Sequence, residues 1–184
     1  MSAPLTLYSI GHSDRPLHEL IAILRAADVT TLVDVRAQPR SQRHPQFSDS
    51  SLRAACEAVG MVYHWAGRQL GGHRPGRADS RHIALKDAGL RSYADYIDTA
   101  EFQKGAAALV KLAGRAPAAM LCAERDPAHC HRCLIADYLT LRGVRVVHLM
   151  GPGESREHLL SPHARRESAD LVYDRSATAP LPLD

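Results

Sequence analysis

The sequence predicts an α/β domain, a Rossmann-like three-layer sandwich around a mostly parallel sheet of about five strands. Two observations lead to this prediction. Apolar runs of strand length alternate along the chain with longer segments whose apolar residues recur at helical spacing. In addition, residues 5–10 and residues 30–35 have strand patterns and flank a helical segment. Because such a crossover joins parallel neighbours, the three elements form a βαβ unit.

The next elements follow in the same alternation. The helix after the first strand starts near Pro16, a residue suited to a first helical turn. Its buried side is supplied by five apolar residues, Leu17, Leu20, Ile21, Ile23 and Leu24. A helix is predicted over residues 50–59, with Ser50 or Ser51 as its N-cap, and a third strand over residues 61–65.

A long loop rich in glycine, arginine and histidine then occupies residues 66–80, and loops of this length are often functional. The remaining predicted elements are helices over residues 90–97, 101–113 and 134–141 and strands over residues 118–122 and 144–149. The polar segment from Gly151 carries no predicted element, and we expect weak order from about residue 165.

Composition limits the class of protein. The 184 residues suit one domain over residues 1–184, and 45% apolar with 23% charged residues is ordinary for a globular protein. No apolar run is long enough for a membrane span, and no basic start followed by an apolar stretch indicates export. Four cysteines do not make a disulfide scaffold at this length, so we expect a cytoplasmic protein without a membrane partner.

Three of the predicted strands carry clusters of functional residues at their carboxyl ends. These clusters are Gly11, His12 and Ser13 at the first strand, Asp34 and Arg36 at the second, and Cys122, Glu124, Cys130, His131 and Arg132 at the fourth. The carboxyl ends of parallel strands lie on one edge of the sheet, where open α/β sheets bind their ligands. The helix that begins after Cys130 adds an N-terminus, which attracts anions. The sequence therefore predicts one shared crevice.

Each group has a role in such a crevice. A carboxylate, Asp34 or Glu124, would position or activate water, and an imidazole, from a histidine, would transfer a proton. The predicted catalytic residues are Asp34, Glu124, His12, His131 and Cys130, and the predicted ligand-binding residues are Gly11, Ser13, Arg36, Arg132, Arg68 and Arg74.

Structural alternatives stay open for the same side chains. Ser13 could cap a helix, and Asp34 could form a purely structural ion pair with Arg36. Glu124 could simply pair with a neighbouring arginine, Arg125 or Arg132.

Basic loops surround the predicted crevice. One loop contributes Arg40, Arg43 and His44, and the other contributes Arg68, His73, Arg74 and Arg77. Only three of the 23 basic residues are lysines, and arginine suits bidentate phosphate contacts. A positive rim of this kind attracts phosphate groups.

Cys130 is the most distinctive thiol. At a helix start beside His131 and Arg132 its pKa is expected to be lowered, which suits a nucleophile, a redox thiol or a metal ligand. Cys130 and Cys133 have the spacing of a redox dithiol, but they lie outside the fold that this motif requires. Cys122 fits a core position, and the ligand set for zinc is incomplete, so we predict neither a metal nor another cofactor.

Taken together, several segments resemble the DUF488 family. They are Tyr8-Ser-Ile-Gly-His-Ser13, Val33-Asp-Val-Arg36 with Pro39 and Ser41, Leu70-Gly-Gly72, Tyr93-Ala-Asp-Tyr96, and Cys122-Ala-Glu124 with Cys130-His-Arg132. The resemblance runs from about residue 5 to residue 163 and implies an α/β fold with a shared crevice. It names no substrate, because the family was defined without a known function. Cys133 departs from the family pattern, which tends to have serine there, and this weakens the dithiol interpretation.

Three functions follow from these observations. The first is an enzyme acting on nucleic acid or another phosphate-bearing ligand, which hydrolyses an N-glycosidic or phosphoester bond, for example in removing a damaged DNA base. The second is a thiol-redox or metal-binding protein that uses Cys130 with Cys133 or Cys122. The third is a non-catalytic nucleotide-binding module. The sequence does not indicate the oligomeric state.

Overall fold

A six-stranded sheet forms the centre of the computed structural model, which describes residues 4–175. Its strands are β1 (Thr6–Gly11), β2 (Thr31–Asp34), β3 (Val62–Trp65), β4 (Ala118–Cys122), β5 (Arg145–Gly151) and β6 (Glu154–Glu157). They lie in the order β3-β2-β4-β1-β5-β6. The first five strands pair in parallel, and β6 is antiparallel to β5 at one edge. The mostly parallel α/β sheet that the sequence predicts is confirmed.

Helices cover both faces of the sheet. They are α1 (Leu17–Ala26), α2 (Asp49–Ala58), α3 (Gly67–Leu70), α4 (Ala88–Ile97), α5 (Ala100–Ala113) and α6 (Arg132–Thr140). Buried residues of α1 and α2 pack in one apolar cluster, and those of α4, α5 and α6 pack in the other. The result is a three-layer sandwich. Ser48, rather than the predicted Ser50 or Ser51, caps α2, since its hydroxyl accepts a hydrogen bond from the amide of Ser51.

Strand β4 shows how the sequence builds both layers of the core. All of its side chains are buried. Met120 and Cys122 pack on the side of α5 and α6, whereas Ala119 and Leu121 pack on the side of α1 and α2. Successive side chains of a strand point to opposite faces, so Cys122, the last residue of β4, points towards the layer that contains α6.

The segment after Gly151 differs from the sequence prediction. It contains the edge strand β6 and a separate hairpin of β7 (Ala164–Glu167) and β8 (Asp170–Tyr173). The hairpin is anchored because β8 buries Leu171 and Tyr173. The segment from about residue 165, where the sequence predicts weak order, forms this hairpin as far as residue 175, and the rest of that expectation falls outside the described residues. No helix in the described part of the chain has the length and apolar character needed to cross a bilayer.

Candidate functional site

A cleft with a volume of about 1320 Å³ opens at the carboxyl ends of β1, β2 and β4. Six predicted site residues line it: His12, Ser13, Arg36, Glu124, Cys130 and His131. Five others do not: Gly11, Asp34, Arg68, Arg74 and Arg132. Backbone hydrogen bonds continue past the strand ends and hold the lining segments beside one another. For example, the amide of His12 donates to the carbonyl of Cys122 (2.9 Å). The predicted convergence of the three strand ends is thus present in the structure.

Asp34 is engaged in a buried network behind the cleft. Its carboxylate is fully buried and accepts hydrogen bonds from the Arg36 guanidinium, the shortest of them 2.6 Å. The hydroxyl of Tyr63 donates to the same carboxylate at 2.7 Å. With its oxygens occupied in this way, Asp34 has no access to a substrate water. This placement does not support the predicted catalytic role of Asp34. It agrees with the alternative that Asp34 forms a structural ion pair with Arg36.

His12 holds the Arg36 guanidinium from the side of the cleft. Its Nδ1–H donates to the carbonyl of Ser13 at 2.8 Å, and its Nε2 accepts from Nη1 of Arg36 at 3.2 Å. The ring also stacks on Phe47, with 4.3 Å between ring centroids. Burial lowers the pKa of His12 to about 4, so the imidazole is neutral near pH 7. Both nitrogens are occupied, which makes His12 a positioning residue rather than the predicted proton carrier.

The low pKa of His12 predicts an acid-sensitive fold. A histidine with an ordinary pKa in the unfolded chain and a lowered pKa in the folded chain stabilises the fold above about pH 6.5, and this contribution declines as the pH falls towards 4. We expect the lowered pKa of His12 to reduce the free energy of unfolding by about 3 kcal/mol as the pH falls from about 6.5 to 4. Urea unfolding of wild type and His12→Gln between pH 4 and 7.5 measures this reduction, and a variant of the exposed His18, His18→Gln, serves as the control. Parallel stability profiles for wild type and His12→Gln would contradict the assignment.

Two thiols and an imidazole meet at the floor of the cleft. The sulfurs of Cys122 and Cys130 and Nδ1 of His131 all lie within 4.8 Å of one another. The Cys122 thiol, helped by His131 and Arg132, holds the pKa of Cys130 well below its ordinary value. The hydrogen bond to Cys130, together with burial, raises the pKa of Cys122. Of the two thiols, Cys130 therefore loses its proton more readily than Cys122.

The sequence interpretation of the cysteines needs two corrections. Cys122 belongs to the site as well as to the core. Its place as the last residue of β4, on the side of α6, is the feature of the sequence that could have indicated this role. Cys133 lines a separate cavity, and burial raises its pKa to about 12. The partner of Cys130 in the cleft is therefore Cys122, not Cys133.

His131 is held in one orientation by residues from distant parts of the chain. Its Nε2–H donates to the carbonyl of Val35 at 3.1 Å, and this bond turns Nδ1 towards the two sulfurs. Its ring packs on that of Tyr93, with 4.9 Å between centroids. On the remaining side Gly72 leaves room, because a Cβ there would lie 3.2 Å from Nδ1. The segments around Gly72 and Tyr93 therefore both border the imidazole of His131.

Arg132 and Gly11 shape the cleft from beneath instead of binding a ligand. The guanidinium of Arg132 is buried, and it donates to Cys130 Sγ (3.4 Å), to Ser9 Oγ (2.9 Å) and to the carbonyl of Glu124. A Cβ on Gly11 would lie 1.8 Å from that same carbonyl oxygen, so only glycine fits. The sequence predicts that Gly11 allows the backbone to approach a ligand closely, but in the structure the close approach is to the backbone carbonyl of Glu124. Together the two residues fix the position of Glu124.

The rim of the cleft carries charge of both signs. Among the described residues, Arg40 and Arg43 are exposed on the rim, and no carboxylate pairs with either. The acidic residues of the lining are Asp14, Asp87 and Glu124. Arg74 is not part of the rim, since its guanidinium lies 3.8 Å from the Tyr96 ring centroid and donates to backbone carbonyls. The positive rim therefore comes from the loop after β2, and the structure places Arg68 and Arg74 outside the cleft lining.

Comparison with known proteins gives one match. The family model described as "Domain of unknown function DUF488" matches residues 16–139. No curated protein and no solved structure matches the chain.

Proposed function

The protein belongs to the DUF488 family, a domain of unknown function, and from the geometry of its cleft we propose that it is a hydrolase acting on nucleic acid or a related phosphate-bearing ligand. The observation that carries this proposal is that one cleft joins the Glu124 carboxylate to rim arginines that pair with no carboxylate of residues 4–175. A rim cation can hold a phosphate, and a carboxylate near it can activate water.

Three arginines support the binding of phosphate groups. Arg40 and Arg43 are exposed and therefore free to reach a ligand backbone. Arg36 has five N–H groups, of which four are used by Asp34, His12 and the carbonyl of Phe47. The remaining N–H, on Nη1, is available at the cleft wall.

The size of the cleft favours a ligand larger than a mononucleotide. Its volume of about 1320 Å³ exceeds the range of about 300–1,000 Å³ that is usual for small-molecule pockets. A single-stranded segment, or a base turned out of a duplex with its backbone on Arg40 and Arg43, suits this space. The hydrolysed bond would then be a phosphoester or N-glycosidic bond of the nucleic acid.

Glu124 is the group best placed to activate water. Its side chain is exposed on the cleft wall, and in the part of the chain that the structure describes it has no hydrogen-bond or ion-pair partner. Its backbone is fixed by Arg132 and by the close approach of Gly11. A free carboxylate on a fixed backbone is suited to general-base catalysis.

The binding part of this proposal predicts a salt-dependent interaction with single-stranded oligonucleotides. The double variant Arg40→Ala/Arg43→Ala should bind more weakly, and the slope of log affinity against log salt should decrease by about 2, one for each lost phosphate contact. Fluorescence anisotropy with a labelled oligonucleotide at several salt concentrations measures both quantities.

The matched control removes the same charge from the opposite edge of the sheet. Arg25→Ala/Arg115→Ala lowers the net charge equally, but these exposed residues lie in the last turn of α1 and just before β4, near the amino ends of the strands. Equal losses in the two double variants would show that only net charge matters. Absence of binding at low salt would refute the proposal.

A further inference from the structure

We propose that Cys122, Cys130 and His131 bind one thiophilic divalent metal ion, such as Zn²⁺, at the floor of the cleft, and that the ion keeps an open coordination position towards the cleft. The binding of the ion is inferred from the geometry of the three donors alone. Its role in hydrolysis rests on the proposed function.

The distances between the donor atoms suit a tetrahedral ion. With bonds of about 2.3 Å to sulfur and 2.0–2.1 Å to nitrogen, a tetrahedral zinc ion places its sulfur and nitrogen ligands about 3.6 Å apart. Nδ1 of His131 lies 3.9 Å from the sulfur of Cys122 and 3.7 Å from that of Cys130. Shifts of a few tenths of an ångström would complete the coordination. Among the described residues, Cys122, Cys130 and His131 are the group of three donors that lie close enough together to bind one ion.

The surroundings of the donors are also those of a metal site. Metal-binding histidines usually donate their second ring N–H to a carbonyl or carboxylate, and His131 donates Nε2–H to the carbonyl of Val35. This bond leaves the lone pair of Nδ1 free for the ion. Arg132 donates Nε–H to the sulfur of Cys130 and so orients the thiolate from outside the coordination shell. Both cysteines would bind the ion as thiolates, so binding would release any proton that the thiols still hold.

Three protein donors indicate a reactive site rather than a structural one. Structural zinc sites have four protein ligands, whereas catalytic sites have three and leave the fourth position to water. Cys133 does not supply the fourth ligand, because it lines another cavity. All three donors line the cleft that also contains Glu124. A metal ion held here would lower the pKa of bound water and so supply a nucleophile for hydrolysis, and Glu124 would accept the proton.

Cobalt titration tests the site without any assay of activity. Reduced, metal-free protein is titrated with Co²⁺ in the absence of oxygen, and the absorption spectrum is recorded. We expect one equivalent of Co²⁺ to produce thiolate-to-metal charge-transfer bands and the intense d–d bands of four-coordinate cobalt, and Zn²⁺ to displace it. Cys122→Ser and Cys130→Ser should each weaken binding by more than the 10–100-fold that is typical for loss of an outer-shell contact. Cys133→Ser is the matched control and should bind like wild type.

A second measurement covers the case in which a cysteine variant fails to fold. In wild-type protein, Zn²⁺ should protect Cys122 and Cys130 from iodoacetamide, as read by peptide mass spectrometry. Cobalt spectra without thiolate bands, or unchanged alkylation with Zn²⁺, would overturn the metal site. Salt-dependent oligonucleotide binding without a metal site would leave the proposed function standing, and metal binding without oligonucleotide binding would refute the proposed function alone.

Discussion

Glu124→Gln is expected to reduce hydrolysis by about 10²- to 10⁴-fold, the usual contribution of a general base, while ligand affinity stays within about twofold of wild type. The amide has the shape of the carboxylate but cannot accept a proton from water. Because the backbone of residue 124 is held by Arg132 and by the contact with Gly11, the substitution should leave the cleft intact. Initial rates and anisotropy binding curves on the same oligonucleotide separate the two effects.

Asp14→Asn provides the control for charge. Asp14 is also an exposed acid on the cleft lining, so its loss changes the local potential in the same direction without touching the proposed base. A variant Glu124→Gln that hydrolyses as fast as wild type would remove Glu124 from the mechanism. Tight binding with no turnover in wild type would instead identify a non-catalytic nucleic-acid-binding module.

Asp34→Ala is expected to destabilise the fold by about 3–5 kcal/mol, the usual result of removing one partner from a buried ion pair. The change leaves the guanidinium of Arg36 buried without a counter-charge and the hydroxyl of Tyr63 without its acceptor. Equilibrium urea unfolding at pH 7 measures the loss. Because Arg36 forms part of the cleft wall, oligonucleotide affinity should fall in the same variant.

Tyr63→Phe separates the ion pair from the hydrogen bond. It removes only the hydroxyl, so we expect a loss of about 1 kcal/mol, and the pair of Asp34 and Arg36 stays intact. A loss below about 1 kcal/mol in Asp34→Ala would show that the buried pair contributes little to the fold.

Much of the architecture could be predicted because buried parallel strands have an unambiguous pattern. Strand β4 is wholly apolar, and β2 consists of strand-forming residues up to Asp34 at its end. A charged side chain stands two residues beyond each strand, Arg36 after β2 and Glu124 after β4. From that pattern alone, the parallel sheet places His12, Arg36 and Glu124 at one edge. The proximity of these groups therefore needed no knowledge of side-chain positions.

The division of roles among these groups could not be predicted in the same way. Asp34 ends a strand just as a ligand-binding acid would, and its structural role depends on Tyr63, 29 residues away on the neighbouring strand. Arg132 looks like an anion-binding residue at a helix start, but its buried partner Ser9 lies on β1. Both assignments depend on contacts between distant parts of the chain, which local patterns do not encode.

Strands β6, β7 and β8 could not be predicted for a different reason. All side chains of β6 are exposed and polar, so the strand has no buried face to create an alternating pattern. The hairpin of β7 and β8 is short, and its apolar residues, Leu171 to Tyr173, lie at its end. Tertiary contacts, including the hydrogen bond from Tyr173 to Asp137, hold this region in place.

The hydrogen bond between the His131 ring and the carbonyl of Val35 joins positions 96 residues apart in the chain. The imidazole and the two thiols come from one stretch of the chain, but the carbonyl that orients the imidazole follows β2, so the cleft floor is complete only once β2 and α6 have docked on the same sheet. Whatever binds there draws the whole domain towards the native state by mass action. A rise in melting temperature on adding a ligand would accordingly report on cooperative folding of the entire α/β unit.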